Sequence, residues 1–99
     1  MKPSEQIQVV SPEQWQLSGD LNLKTVSMLL KEITLFCQKT FPQTIDLAQV
    51  SRADSAGLAL LVEIIRLAHQ RNQTIHFINP PSQLLQIAQA VGLADILAT

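Results

Sequence analysis

Hydrophobic and polar positions change period several times along the 99 residues. They alternate in Ile7-Gln8-Val9-Val10 and again in Gln14-Trp15-Gln16-Leu17-Ser18, the period of half-buried strands, and Ser11-Pro12 joins the two into a hairpin-like pair. From Leu23 to Gln38 the period is helical: Val26, Leu29, Leu30, Ile33, Phe36 and Cys37 fall on one face, which places Cys37 in a core stripe. Pro42 closes that unit, and in the next strand Ile45 and Leu47 point opposite to Thr44 and Asp46. A second helix is predicted from about Ser55 to Arg71, closed by Asn72, and Thr74-Ile75-His76-Phe77-Ile78-Asn79 reads as a strand. After Asn79-Pro80-Pro81-Ser82 a third helix carries Leu84, Ile87, Ala88 and Val91 and stops at Gly92. The order ββαβαβα makes each later helix a crossover, so the class is α/β with parallel later strands, and one domain is expected over residues 1–99.

Composition narrows the function classes. The chain is 46% hydrophobic and 15% charged, enough apolar surface to fold and too little charge for disorder. Seven basic and eight acidic residues give a net charge of −1, which offers no field for a nucleic-acid backbone or an anionic membrane surface. The lone cysteine, Cys37, cannot close an internal disulfide, and no signal peptide or membrane-spanning run is expected, which fits a cytoplasmic protein without direct membrane insertion.

The chemistry of common catalysts is missing. Phosphate-cradling loops need closely spaced glycines and a lysine, and the three glycines here never approach that spacing. His69, His76 and Cys37 fall on three different predicted elements, so no metal or other cofactor is implied. Ser55 lacks the preceding glycine of a nucleophile elbow, because Ala53 stands there, and only His76 could act as its base.

What stands out is a polar knot, Asp54-Ser55-Ala56-Gly57, at the mouth of the most apolar helix. Asp54 or Ser55 could cap that helix, with Ser51 and Asp54 at the S-x-x-D spacing as an alternative, but a cap uses one residue and leaves the others unexplained. The helix has a narrow polar side of Ala59, Glu63, Arg66 and Gln70, a buried stripe of Leu58, Leu61, Val62 and Ile65, and surplus apolar residues Leu60, Ile64 and Leu67. The surplus packs either on a neighbouring helix of the same chain or on a partner. Small residues Ala56, Gly57 and Ala59, rimmed by Arg52, Glu63 and Arg66, are expected to let another protein's backbone approach. A phosphate on Ser55 would be tolerated by the helix terminus and would repel such a partner.

The strand Thr44-Ile45-Asp46-Leu47, the sequence Asp54-Ser55-Ala56-Gly57-Leu58, the spacing to Ile75-His76-Phe77 and the tail Gly92-Leu93-Ala94-Asp95-Ile96-Leu97 together resemble the STAS domain family of sulfate transporters and anti-sigma factor antagonists. The continuation GLALLVEIIRLA after the knot is similar to the stand-alone STAS subunits of phospholipid ABC transporters. The resemblance implies a STAS-like mixed sheet backed by helices on one side. It also implies a non-enzymatic cytoplasmic subunit, peripheral to the inner membrane, that binds the transporter's ATPase and through it the permease. The family's surface maps onto Arg52, Asp54, Ser55, Ala56, Gly57, Ala59, Val62 and Glu63. The alternative implied is an anti-sigma factor antagonist switched by phosphorylation of Ser55, although Ala56 stands where antagonists usually carry a second serine.

Overall fold

The computed structural model describes residues 6–36, 38 and 41–97; the expectation for Cys37 lies outside them. The elements are β1 (Ile7–Ser11), β2 (Gln14–Leu21), α1 (Leu23–Phe36), β3 (Thr44–Ala53), α2 (Ser55–Gln70), β4 (His76–Ile78), α3 (Ser82–Ala90) and a 3-10 turn at Ala94–Leu97. They form a four-stranded mixed sheet in the order β1-β2-β3-β4, antiparallel between β1 and β2 and parallel thereafter. The predicted ββαβαβα order and the parallel crossovers are therefore present, with the final turn as an addition.

Alternation along the strands puts the core on one sheet face. Trp15, Leu17 and Leu21 of β2, Ile45, Leu47 and Val50 of β3 and Phe77 of β4 are buried there. The helices supply Leu29, Ile33, Leu60, Leu61, Ile64, Leu84 and Ala88 to the same cluster. Trp15 meets Phe36 edge to face at 5.9 Å, a geometry aromatic quadrupoles favour. The opposite sheet face stays polar, with Gln14, Gln16, Thr44 and Asp46 only half-buried.

β3 runs further than its sequence pattern implied, because its register against β2 slips between Gln16 and Ser18 and again between Gly19 and Asp20. Each slip inserts an extra residue, so the inward positions become Ile45, Leu47, Val50 and Ala53 rather than every second residue. Arg52 consequently belongs to the strand and pairs with Asp20. β4 is correspondingly shorter than expected, three residues long.

Candidate docking site at the amino end of the second helix

Asp54 is the residue that caps α2. Its backbone is extended (φ −115°, ψ −165°), and its Oδ1 accepts the Ala56 N–H at 2.8 Å, satisfying one of the donors a helix start leaves unpaired. Ser51 lies within β3, so the alternative cap does not form. Replacing Asp54 by alanine is expected to cost about 1 kcal/mol, read as a lower midpoint in denaturant unfolding. The far end of the helix is closed at Arg71 and Asn72, as the sequence suggested, with Asn72 in the left-handed region (φ 56°).

With Asp54 occupied, the Ser55 hydroxyl is left over. Ser55 is exposed at the first helical position, and its side chain makes no hydrogen bond among the described residues. Ala59 and Val62 continue the same exposed side, with Val62 39% accessible. This corrects the expectation that Val62 lies in the buried stripe: the inward line is Gly57, Leu61, Ile64 and Ala68, and Val62 falls on its edge. Leu60 and Ile64 are buried and Leu67 packs against the core, so the apolar surplus is absorbed by α1 and α3 of the same chain.

Gly57 requires a second correction. It is not an exposed small residue but a buried one, and a Cβ built there would lie 3.0 Å from Leu21 Cβ, 3.2 Å from the Leu21 carbonyl oxygen and 3.3 Å from Ala53 Cβ. Its missing side chain lets α2 approach β2 and β3, which fixes the height of the helix start above the sheet. Ala56 is half-buried beside it, so the accessible small residue of the trio is Ala59.

Charge around the site is mostly self-satisfied. Arg66 holds Glu63 through Nε and Nη2, the shortest contact being 2.8 Å. That hydrogen bond, with the attraction of the opposite charges, lowers the Glu63 carboxyl and raises the Arg66 guanidinium from their ordinary values. Arg52 is exposed and makes no ion pair among the described residues. Next to it the Ala53 N–H donates to Gln83 Oε1 at 3.0 Å, which ties the start of α3 to the end of β3.

Placement decides one chemical alternative. His76 pairs with Thr44 at the start of β3, whereas Ser55 follows the strand's far end. At about 3.3 Å per residue that separates them by more than roughly 20 Å, so His76 cannot serve Ser55 as a base. Among the described residues no group of three potential metal ligands is gathered at one place. No helix among them is long and apolar enough to cross a membrane.

Comparison with known proteins supplies the family. A model of the family described as "Mlab, STAS domain" matches residues 9–98. The chain is 33% identical over 86 residues to the intermembrane phospholipid transport system binding protein MlaB of Haemophilus influenzae, covering 83% of this chain and 82% of that one. A chain of the Acinetobacter MlaFEDB complex in an ATP-bound conformation superposes with a TM-score of 0.67 at 27% identity, over 92% of this chain and 95% of the other. The anti-sigma factor antagonist SpoIIAA in its unphosphorylated form superposes with a TM-score of 0.74 at 22% identity, over 94% and 84% of the two chains, a likeness of fold. A one-sided α/β sheet, a capped second helix with an exposed hydroxyl at its start, and a family match along almost the whole sequence establish that the chain belongs to the MlaB-type STAS domain family.

Proposed function

We propose that the protein is the STAS subunit of an Mla-type phospholipid ABC transporter. In this reading it is cytoplasmic and peripheral to the inner membrane, and it binds the transporter's ATPase and through it the permease. It stabilises or regulates the ATPase without chemistry of its own, in support of phospholipid transport between the two membranes and of outer-membrane lipid asymmetry. The observation that carries the reading is the 33% identity to MlaB over more than four-fifths of both chains.

The docking surface in this proposal is the end of β3 and the exposed side of α2: Arg52, Asp54, Ser55, Ala56, Ala59, Val62 and Glu63. Ala59 offers no bulk, Val62 adds apolar area, and the Glu63–Arg66 pair limits the charge that must be desolvated. Asp54 contributes by holding the helix start and Gly57 by seating it, so both shape the surface from beneath. Ser55 is the position where a small change in charge would act most strongly on the contact.

An exposed hydroxyl at a helix start is also what a kinase would need, which favours the anti-sigma antagonist as a second reading. Co-expression with the ATPase and permease encoded by the same cell separates the two. The transporter reading expects a stable complex with the ATPase through affinity and size-exclusion steps, and lower ATPase yield or activity without this subunit. An ATPase that shows neither association nor dependence, beside specific phosphorylation of Ser55 by a cognate anti-sigma kinase, would replace it with the second reading.

A further inference from the structure

Resting on the docking site proposed above, we infer that its surface continues from α2 onto the first turn of α1 and that Leu23 is its apolar anchor, entering an apolar socket on the ATPase. The parallel strands β2 and β3 end in step: Leu21 pairs with Ala53, and the Asp54 N–H donates to the Leu21 carbonyl at 3.2 Å. Each strand is followed by one capping residue. Asn22 Oδ1 accepts from the Lys24 and Thr25 N–H groups of α1, as Asp54 does from Ala56 in α2. The next residue in each opens its helix, Leu23 in α1 and Ser55 in α2. Since α1 and α2 pack on each other, and packed helices lie about 8–10 Å apart, Leu23 and Ser55 stand side by side at the same end of the sheet.

A shallow depression of about 260 Å³ joins the two turns, bounded by Asp20, Asn22, Arg52, Asp54 and Gln83. Leu23 and Ser55 each directly follow a residue of its rim, Asn22 and Asp54. Leu23 is 81% exposed, the highest value among the large exposed hydrophobics of the described residues. Its backbone is held at the helix start, because the Asn22 cap is closed reciprocally by the Asn22 N–H donating to Thr25 Oγ1 at 3.0 Å. A leucine on a held backbone gives up only its own side-chain rotamers on binding and gains its burial, the property of an interface anchor. Met28 and Leu35 are also exposed on α1, at 59% and 55%, but at 100° per residue they project roughly 120–140° away from Leu23 around the helix axis. They do not share its surface.

The test measures affinity for the purified ATPase by Leu23→Ala, Leu23→Asp, Met28→Asp, Leu35→Asp and Ser55→Asp variants, with thermal unfolding of each. Aspartate suits the first turn of a helix, so Leu23→Asp is expected to fold normally. Leu23→Ala should weaken binding roughly tenfold or more and Leu23→Asp further, while Met28→Asp and Leu35→Asp bind as the parent does. Normal binding by Leu23→Asp beside lost binding by Ser55→Asp overturns the anchor and leaves the α2 site standing. Normal binding by both removes the α2 site and the anchor with it. Loss by Leu23→Asp alone moves the contact to α1 and overturns the shared surface, and equal losses in the Met28 and Leu35 variants overturn the assignment to Leu23.

Discussion

Ser55→Asp is expected to reduce affinity for the ATPase by roughly a hundredfold or more, because an unpaired charge placed in a dry contact costs several kcal/mol. Ser55→Ala should stay within about twofold, since the hydroxyl has no partner among the described residues whose loss could matter. The contrast is informative because the aspartate leaves the fold intact. It would occupy the first turn of α2, where the helix dipole favours an anion by about 0.3–1 kcal/mol, so the melting temperature is expected to hold or rise slightly as binding falls. Titration calorimetry and thermal unfolding of the two variants separate the effects. Unchanged binding by Ser55→Asp would place Ser55 outside the contact.

Gly57→Val should have the largest effect on stability. An added Cβ would already sit 3.0 Å from Leu21 Cβ and 3.2 Å from the Leu21 carbonyl, and valine would drive two further methyl groups into backbone that cannot retreat without breaking the β2–β3 pairing. Overpacking of this kind costs about 1–3 kcal/mol or more, which lowers the melting temperature of a domain of this size by more than about 10 °C at the upper end. Gly57→Ala is the finer probe. Alanine gains about 1 kcal/mol of helix propensity, and the tight contact with Leu21 opposes that gain, so a net loss would show that the helix cannot lift. If Gly57→Val melted like the parent, the close seating of α2 would not be a constraint.

Much of this architecture is legible in the chain because burial imposes a period. Trp15 and Leu17 alternate with glutamines, and the α1 stripe from Val26 to Phe36 has helical spacing, so both elements declare which face is inward. β3 hides its second half for the converse reason. Two register slips move the inward residues to Val50 and Ala53, and Val50-Ser51-Arg52-Ala53 consequently has no period of two. The terminal turn Ala94–Leu97 is too short to carry any period.

The candidate site divides along the same line. Asp54 and Ser55 are recognisable because helix starts demand side-chain oxygens, a local rule that local sequence satisfies. The role of Gly57 depends on how close β2 comes beneath it, a tertiary fact that no local pattern encodes; a missing side chain reads the same whether a partner or the chain's own Leu21 fills the space. The exposure of Leu23 was equally hidden, since a leucine opening a helix is ordinarily assigned to the core and only the paired strand ends place it beside Ser55.

Site-specific photo-crosslinking in the assembled transporter addresses the docking surface most directly. One photoreactive residue is placed at Ala59, on the exposed side of α2, and another at Gln8, exposed on the edge strand β1. The Ala59 probe is predicted to form its product with the ATPase subunit, abolished by Ser55→Asp, and the Gln8 probe to form none with it. A product with the ATPase from Gln8 and none from Ala59 would contradict docking through the amino end of α2.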